Sequence, residues 1–176
     1  LKFGRTYSLD NAIWNFPRVE TLIIEGTYGG RQDVFPHRDE ADATLIESLN
    51  NTIIAGGKVL LPVPSVGHPQ ELMLTINRYM TLGKIKRSSI LIEKIIAETT
   101  SIYDSYIQYL SKELQTVLSQ SNENPLRPDN LKTIDSSNLD AGPAVILAPS
   151  SMLNGGPSVH YLKQICRSPT NKIVFT

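Results

Sequence analysis

One order of events occurs three times in these 176 residues: a short apolar run, a loop of Gly, Ser, Pro and one polar group, and then a helix-forming stretch. It is read at 22–30 (LIIEGTYGG), 59–71 (VLLPVPSVGHPQE) and 145–157 (VILAPSSMLNGGP). Short apolar strands alternating with helices imply an α/β fold, a Rossmann-like parallel sheet with helices on both faces. Crossovers in such a sheet are right-handed, and ligands bind beyond the carboxyl ends of its strands. Three polar loops at such ends predict one shared surface, with Glu25 as the only carboxylate placed directly at a strand end there.

Periodicity fills in the elements. Thr21–Glu25 reads as a strand followed by turn glycines. Residues 38–55 read as a helix with Leu45, Leu49 and Ile53 on its inner side, stopped by Gly56 and Gly57. Residues 58–61 read as a buried strand. Residues 69–82 read as a helix with proline in its first turn and Leu72, Ile76, Tyr79 and Met80 facing inward. A strand is expected at 89–92 and a helix at 95–110, with Ile95, Thr99, Ile102, Tyr103, Tyr106 and Leu110 on one side. That spacing favours packing over a base-stacking role for the tyrosines. Residues 111–118 continue that helix or begin another, and 121–130 is a loop. Residues 144–148 form a core strand, 157–166 a last helix and 172–175 a last strand.

Composition narrows the function classes. Lys plus Arg and Asp plus Glu both number 17, so the formal net charge is zero. A strongly basic nucleic-acid binder is thereby disfavoured, although a local basic stripe is compatible with it. No run approaches the roughly 20 apolar residues of a membrane span, and residues 1–10 lack the apolar centre of a signal peptide. The single Cys166 excludes an internal disulfide and fits a reducing, cytoplasmic setting; it reads as a small core residue on the last helix. His37, His68 and His160 share no motif, and HxHxDH, HExxH and CxxC are all absent, so no conventional zinc site is read here. The chain starts without methionine or an element signal and ends on a strand, which reads as a piece of a longer protein.

Each loop carries two readings. Glu25 is either an acidic group beside a metal or proton-transfer partner, or a carboxylate capping the turn at 26–29. Gly67 permits a tight turn and close ligand approach. His68, at a helix start where the dipole disfavours its cation, contacts phosphate or a base or else faces solvent. Ser150 and Ser151, with Gly155 and Gly156 before Pro157, leave backbone N–H groups at a helix start, a common anion-binding arrangement.

Taken together the three loops resemble the β-CASP nucleases of the metallo-β-lactamase superfamily, especially archaeal homologues of the cleavage and polyadenylation specificity factor endonuclease. The family segments resembling 19–30, 56–71 and 145–157 read LIIESTYG, GGKVLIPxxAxGRxQE and xxIxASSGMLxGGP, and order and spacing agree along nearly all of the chain. The resemblance implies a zinc-dependent RNA endonuclease, in some members also an exonuclease. It cuts phosphodiester bonds with a water held between two zinc ions, in a cleft between a metallo-β-lactamase domain and the β-CASP domain. It gives Glu25 the catalytic role of the family's acidic motif, supporting a histidine near the scissile phosphate. It also implies that residues 1–28 are the tail end of the metallo-β-lactamase domain and 29–176 the β-CASP domain. The zinc ligands would lie outside both, so no zinc is expected on these residues and no activity from them alone.

The sequence departs from the family pattern at Gly26 (family Ser), at His68 (family Arg) and at Ser150-Ser151-Met152 (family SSGM). These departures keep a second reading open, a non-catalytic β-CASP scaffold in an RNA-processing complex. A nucleotide-binding Rossmann domain is disfavoured because no GxGxxG follows the first strand. The expected partners are single-stranded RNA, the missing metallo-β-lactamase domain and a second copy of the parent, with no membrane. The expected RNA contacts are His68, Ser150, Ser151, Gly155 and Gly156, with Arg31 and Arg38 on phosphates.

Overall fold

The computed structural model describes residue 4 and residues 6–121, 123–136 and 139–176. Five strands and five α-helices follow in the order α1 (Arg38–Ile54), β1 (Lys58–Pro62), α2 (His68–Thr81), β2 (Ser89–Glu93), α3 (Lys94–Ser105), α4 (Lys112–Gln120), β3 (Leu131–Ile134), β4 (Ala144–Ala148), α5 (Gly156–Ile165) and β5 (Lys172–Ile173). A single 3₁₀ turn, Ile107–Tyr109, separates α3 from α4. Ser111 caps α4 by accepting the Leu114 N–H at 3.2 Å.

The sheet is wholly parallel, in the order β3-β2-β4-β1-β5. Its three central strands are apolar at successive positions because both faces are covered. Alternate side chains divide between two cores. Val59, Leu61, Ile90, Ile92, Val145 and Leu147 pack under α1, α2 and α3. Leu60, Leu91, Ile146 and Ala148 pack against Tyr161 and Ile165 of α5.

This order contains a reversal. From β1 the chain passes through α2 to β2, on the far side of β4; from β4 it passes through α5 to β5, beyond β1. Right-handed crossovers in opposite directions put α2 and α5 on opposite faces, as the two cores show. The loops leaving β1 and β4 therefore part at a topological switch point, with Pro62 and Ala148 in register beside each other.

Four expectations need correction. No strand forms at Thr21–Glu25: residues 13–37 are exposed, and Ile23 is 93% exposed. An apolar run becomes a strand only when a neighbour accepts its hydrogen bonds, and among the described residues 21–25 pairs with none. Second, α3 turns Ile96 and Thr100 inward and leaves Ile95, Ile102 and Tyr106 exposed. Two apolar stripes lie side by side on this helix, and packing against α2 and β2 selected the other one. Third, β3 was not anticipated, because LKTI at the sheet edge is only partly buried and lacks an apolar run. Last, Cys166 is exposed at the C-cap of α5; Ile165 takes the buried position in register with Tyr161 and Ser158.

Candidate nucleic-acid interface

Two of the three sequence-marked loops meet at the switch point. The Val63 N–H donates to the Ala148 carbonyl at 3.0 Å, so the β1 and β4 exits remain joined one residue past the strands. The β1–α2 loop then turns at Gly67, whose φ of +83° is a conformation that an L side chain rarely adopts. Gln70 fixes this turn. Its Oε1 accepts the Gly67 N–H at 2.7 Å, while its Nε2 donates to the Thr99 and Thr100 hydroxyls of α3. Thr99 in turn donates to the Ser65 carbonyl at 2.8 Å. His68 follows half-buried at the start of α2, with Nε2 2.7 Å from the Thr176 hydroxyl.

The β4–α5 loop is tied to its own helix. The Ser158 N–H donates to the Pro149 carbonyl at 2.6 Å, and its hydroxyl donates to the Ser150 carbonyl at 2.8 Å. The Ser150 hydroxyl accepts the Met152 N–H at 3.3 Å. Ser150, Ser151 and Gly155 are half-buried, and Gly156 opens α5 with φ +72°. The loop thus holds small polar groups over the first turn of a ten-residue helix; the helix dipole there favours an anion, although Pro157 has no N–H and the Ser158 N–H is already taken by Pro149.

A carboxylate at a strand end is present, but it is not Glu25. Glu93 closes β2, is buried, and accepts both the Tyr161 hydroxyl and the Ser136 N–H, the latter at 2.8 Å. Burial and then the Glu93 hydrogen bond push the Tyr161 phenol well above its ordinary range. The pair ties the end of β2 to α5. The sequence reading ended that strand at Ile92, one residue short, and so passed over Glu93, whose signal was a carboxylate directly after an unbroken apolar run.

Glu25 lies on the exposed segment, where it accepts the Thr27 N–H at 3.0 Å. That bond holds its carboxyl below the usual range. The Gly29 N–H donates to the Gly26 carbonyl at 3.1 Å, closing the turn expected there. Arg31 is exposed in the adjoining turn at 30–33. The third loop is therefore not part of the sheet rim formed by the other two.

Arg38 is built into the body. Its guanidinium donates to Glu71 at 2.9 Å, to Asp42 at 3.1 Å and to the Thr75 hydroxyl at 3.1 Å, and it lies 4.9 Å from the centre of the Tyr7 ring. Burial opposes its charge, but Glu71 and Asp42 outweigh it and raise its already high pKa. Arg38, expected on a phosphate, sits in an internal ion-pair network with its side chain one-third exposed. Glu71 is nearly buried and also accepts the Tyr7 and Ser8 N–H groups at 2.7 and 2.8 Å. Burial pushes the Glu71 carboxyl up, yet these N–H groups and Arg38 more than reverse it, leaving the pKa lowered. Tyr79 donates to Asp42 at 3.2 Å, and burial with that carboxylate nearby pushes its phenol up to about 12. A cavity of about 420 Å³ lies beside this network, between α1, α2 and Val174–Thr176, with His68 at its edge.

Among the described residues no group of three or more His, Cys, Asp or Glu side chains is placed to hold a metal ion. No described helix is long and apolar enough to cross a membrane.

A family model described as the Beta-Casp domain matches residues 69–176. Relatives along 99% of the chain include proteins named transcription termination factor FttA. They come from Cenarchaeum symbiosum at 38% identity, a Lokiarchaeum at 40% and Methanocaldococcus jannaschii at 41%. The chain spans 28% of the length of each of these relatives.

Proposed function

The chain belongs to the Beta-Casp domain family, and on that premise we propose that it forms the RNA-facing wall of a zinc-dependent ribonuclease of the 3′-end-processing or transcription-termination type. One observation carries this reading: the loops of β1 and β4 part at the switch point of a parallel sheet, His68 on one side and Ser150, Ser151, Gly155 and Gly156 on the other. Small residues let a phosphate backbone approach, and the α5 N-terminus favours its charge. Neutral overall charge suits a local contact of this kind better than a broad basic face. The relatives' name, transcription termination factor, agrees with an RNA substrate.

The described residues do not assemble a metal site by themselves. Zinc ligands would come from elsewhere in the full-length protein. The same reading gives the exposed apolar segment a place. Ile13, Trp14, Phe16, Leu22, Ile23 and Val34 are about half to nine-tenths exposed. A segment of that composition fits burial against a metallo-β-lactamase domain, which would carry Glu25 to the reaction centre.

The test uses the full-length protein with zinc occupancy confirmed by elemental analysis. Single-stranded RNA should be cleaved, and His68→Ala combined with Ser151→Ala should weaken RNA binding about tenfold or more. Intact RNA after incubation with fully zinc-loaded protein would remove the enzymatic half of the proposal. It would leave the scaffold reading, which the departures at Gly26 and His68 favour. Unchanged RNA affinity in the double variant would remove the RNA-facing assignment of the rim.

A further inference from the structure

The exposed segment leaves the α/β body and returns to it at one carboxylate. Before the excursion, Tyr7 and Ser8 donate their N–H groups to the two oxygens of Glu71. After it, Arg38, the first residue of α1, donates to the same Glu71. Arg38 also stacks on the Tyr7 ring, as does Arg78 at 5.0 Å, so the two ends touch each other as well as the helix. On the outgoing side, Ser111 adds two bonds, donating its N–H to the Ser8 carbonyl at 2.9 Å and its hydroxyl to the Tyr7 carbonyl at 2.8 Å. Ser8, Glu71 and Asp42 are all buried, whereas residues 13–37 are exposed throughout.

We propose that Glu71 and Arg38 are positioning residues: they lock both ends of the 9–37 excursion, the segment that carries Glu25, to the first turn of α2, the turn that His68 opens. Glu71 stands three positions after His68 on one helix, within about one turn, or roughly 5 Å along the axis. The base of the arm and the histidine edge of the crevice are therefore parts of one rigid unit. A carboxylate suits this junction because its two oxygens accept several donors at once, two from the outgoing chain and one from the returning helix. Charge-assisted bonds in a buried setting resist opening more than neutral ones do. This lock rests on the RNA-nuclease reading only for its effect on catalysis; the mechanical part stands without it.

The experiment compares the full-length protein with Glu71→Gln and Arg38→Gln. Two observables are read: amide exchange of peptides covering residues 6–12, and kcat and KM for cleavage of a labelled single-stranded RNA. Opening of the lock should speed exchange at Tyr7 and Ser8 about tenfold or more while the amides of β1 and β4 keep their protection. It should lower kcat about tenfold with KM changed less than about twofold, because the arm acts on the reacting group rather than on RNA capture. Glu71→Asp, which keeps both oxygens, should recover part of kcat. Wild-type exchange at Tyr7 and Ser8 in both glutamine variants would overturn the lock, as would equal loss of protection in β1 and β4. If Glu71→Gln does not fold, Arg38→Gln decides the matter, since it removes the charge that holds Glu71 and covers the Tyr7 ring while keeping the carboxylate itself. Faster exchange at Tyr7 and Ser8 in a protein whose wild type neither binds nor cuts RNA would uphold the lock and overturn the function above.

Discussion

Residues 22–30 and 145–157 have nearly the same grammar, an apolar run and then a loop of small and polar groups, yet they meet opposite fates. The run at 145–148 is β4, hydrogen-bonded on both edges to β1 and β2, with Leu147 fully buried. The run at 22–24 is exposed coil, and the Glu25 that ends it contacts its own turn. The difference lies in the neighbours, since a strand is completed by partners that accept its hydrogen bonds and cover its faces. The loop after β4 inherits a fixed frame from its strand, whereas the loop after 22–24 has no strand to fix it and lies on a segment tied to the body at Ser8 and Arg38.

The largest expected contrast is a pair of truncations. Ile146→Ala empties a site sealed by Tyr161 and Ile165 and should destabilise the sheet by about 2–5 kcal/mol. Ile23→Ala should leave the sheet's stability within about 0.5 kcal/mol of wild type. Global-exchange free energies of β1 and β4 amides in the full-length protein measure both, and a comparable loss from Ile23→Ala would break the contrast. A smaller effect concerns acid. The folded-state pKa of Glu71 is lowered. Its stabilisation is therefore complete above the ordinary glutamate value of about 4.3 and is lost as pH falls below it toward the folded value. Protection of Tyr7 and Ser8 should decline in that window, and Glu71→Gln should flatten the decline. An identical slope in the variant would place the acid sensitivity elsewhere. The smallest effect belongs to the other buried carboxylate. Tyr161→Phe removes one of two donors from Glu93 and should cost about 1 kcal/mol, read by denaturant unfolding and by faster exchange near Ser136. No change at Ser136 would detach that turn from the Glu93 pair.

Much of the body was legible in the residues. Leu45, Leu49 and Ile53 recur every four positions and do face the core of α1; Leu72, Ile76 and Met80 do so on α2. The unbroken apolar character of 59–61 and 145–148 pointed to central parallel strands, which they are. Convergence of the β1 and β4 loops followed from the same pattern. Less was legible where two local solutions compete. On α3 both the Ile95–Ile102–Tyr106 stripe and the Ile96–Thr100 stripe satisfy helical spacing, and only contact with α2 and β2 separates them. Edge strand β3 offered no unbroken apolar run, only Leu131 and Ile134 around two polar residues. Arg38 and Glu71 stand 33 positions apart, and nothing in their local context marks them as an ion pair.

Alternation of apolar runs with amphipathic helices, small residues at the bends and family resemblance are properties of the chain as written, because burial and backbone geometry act at fixed spacing along it. Which runs find neighbours, which helix face turns inward and which distant charges meet are set by three-dimensional packing. Sheet pairing and buried ion pairs draw their energy from groups far apart in sequence, and their partners exist only once the chain has folded.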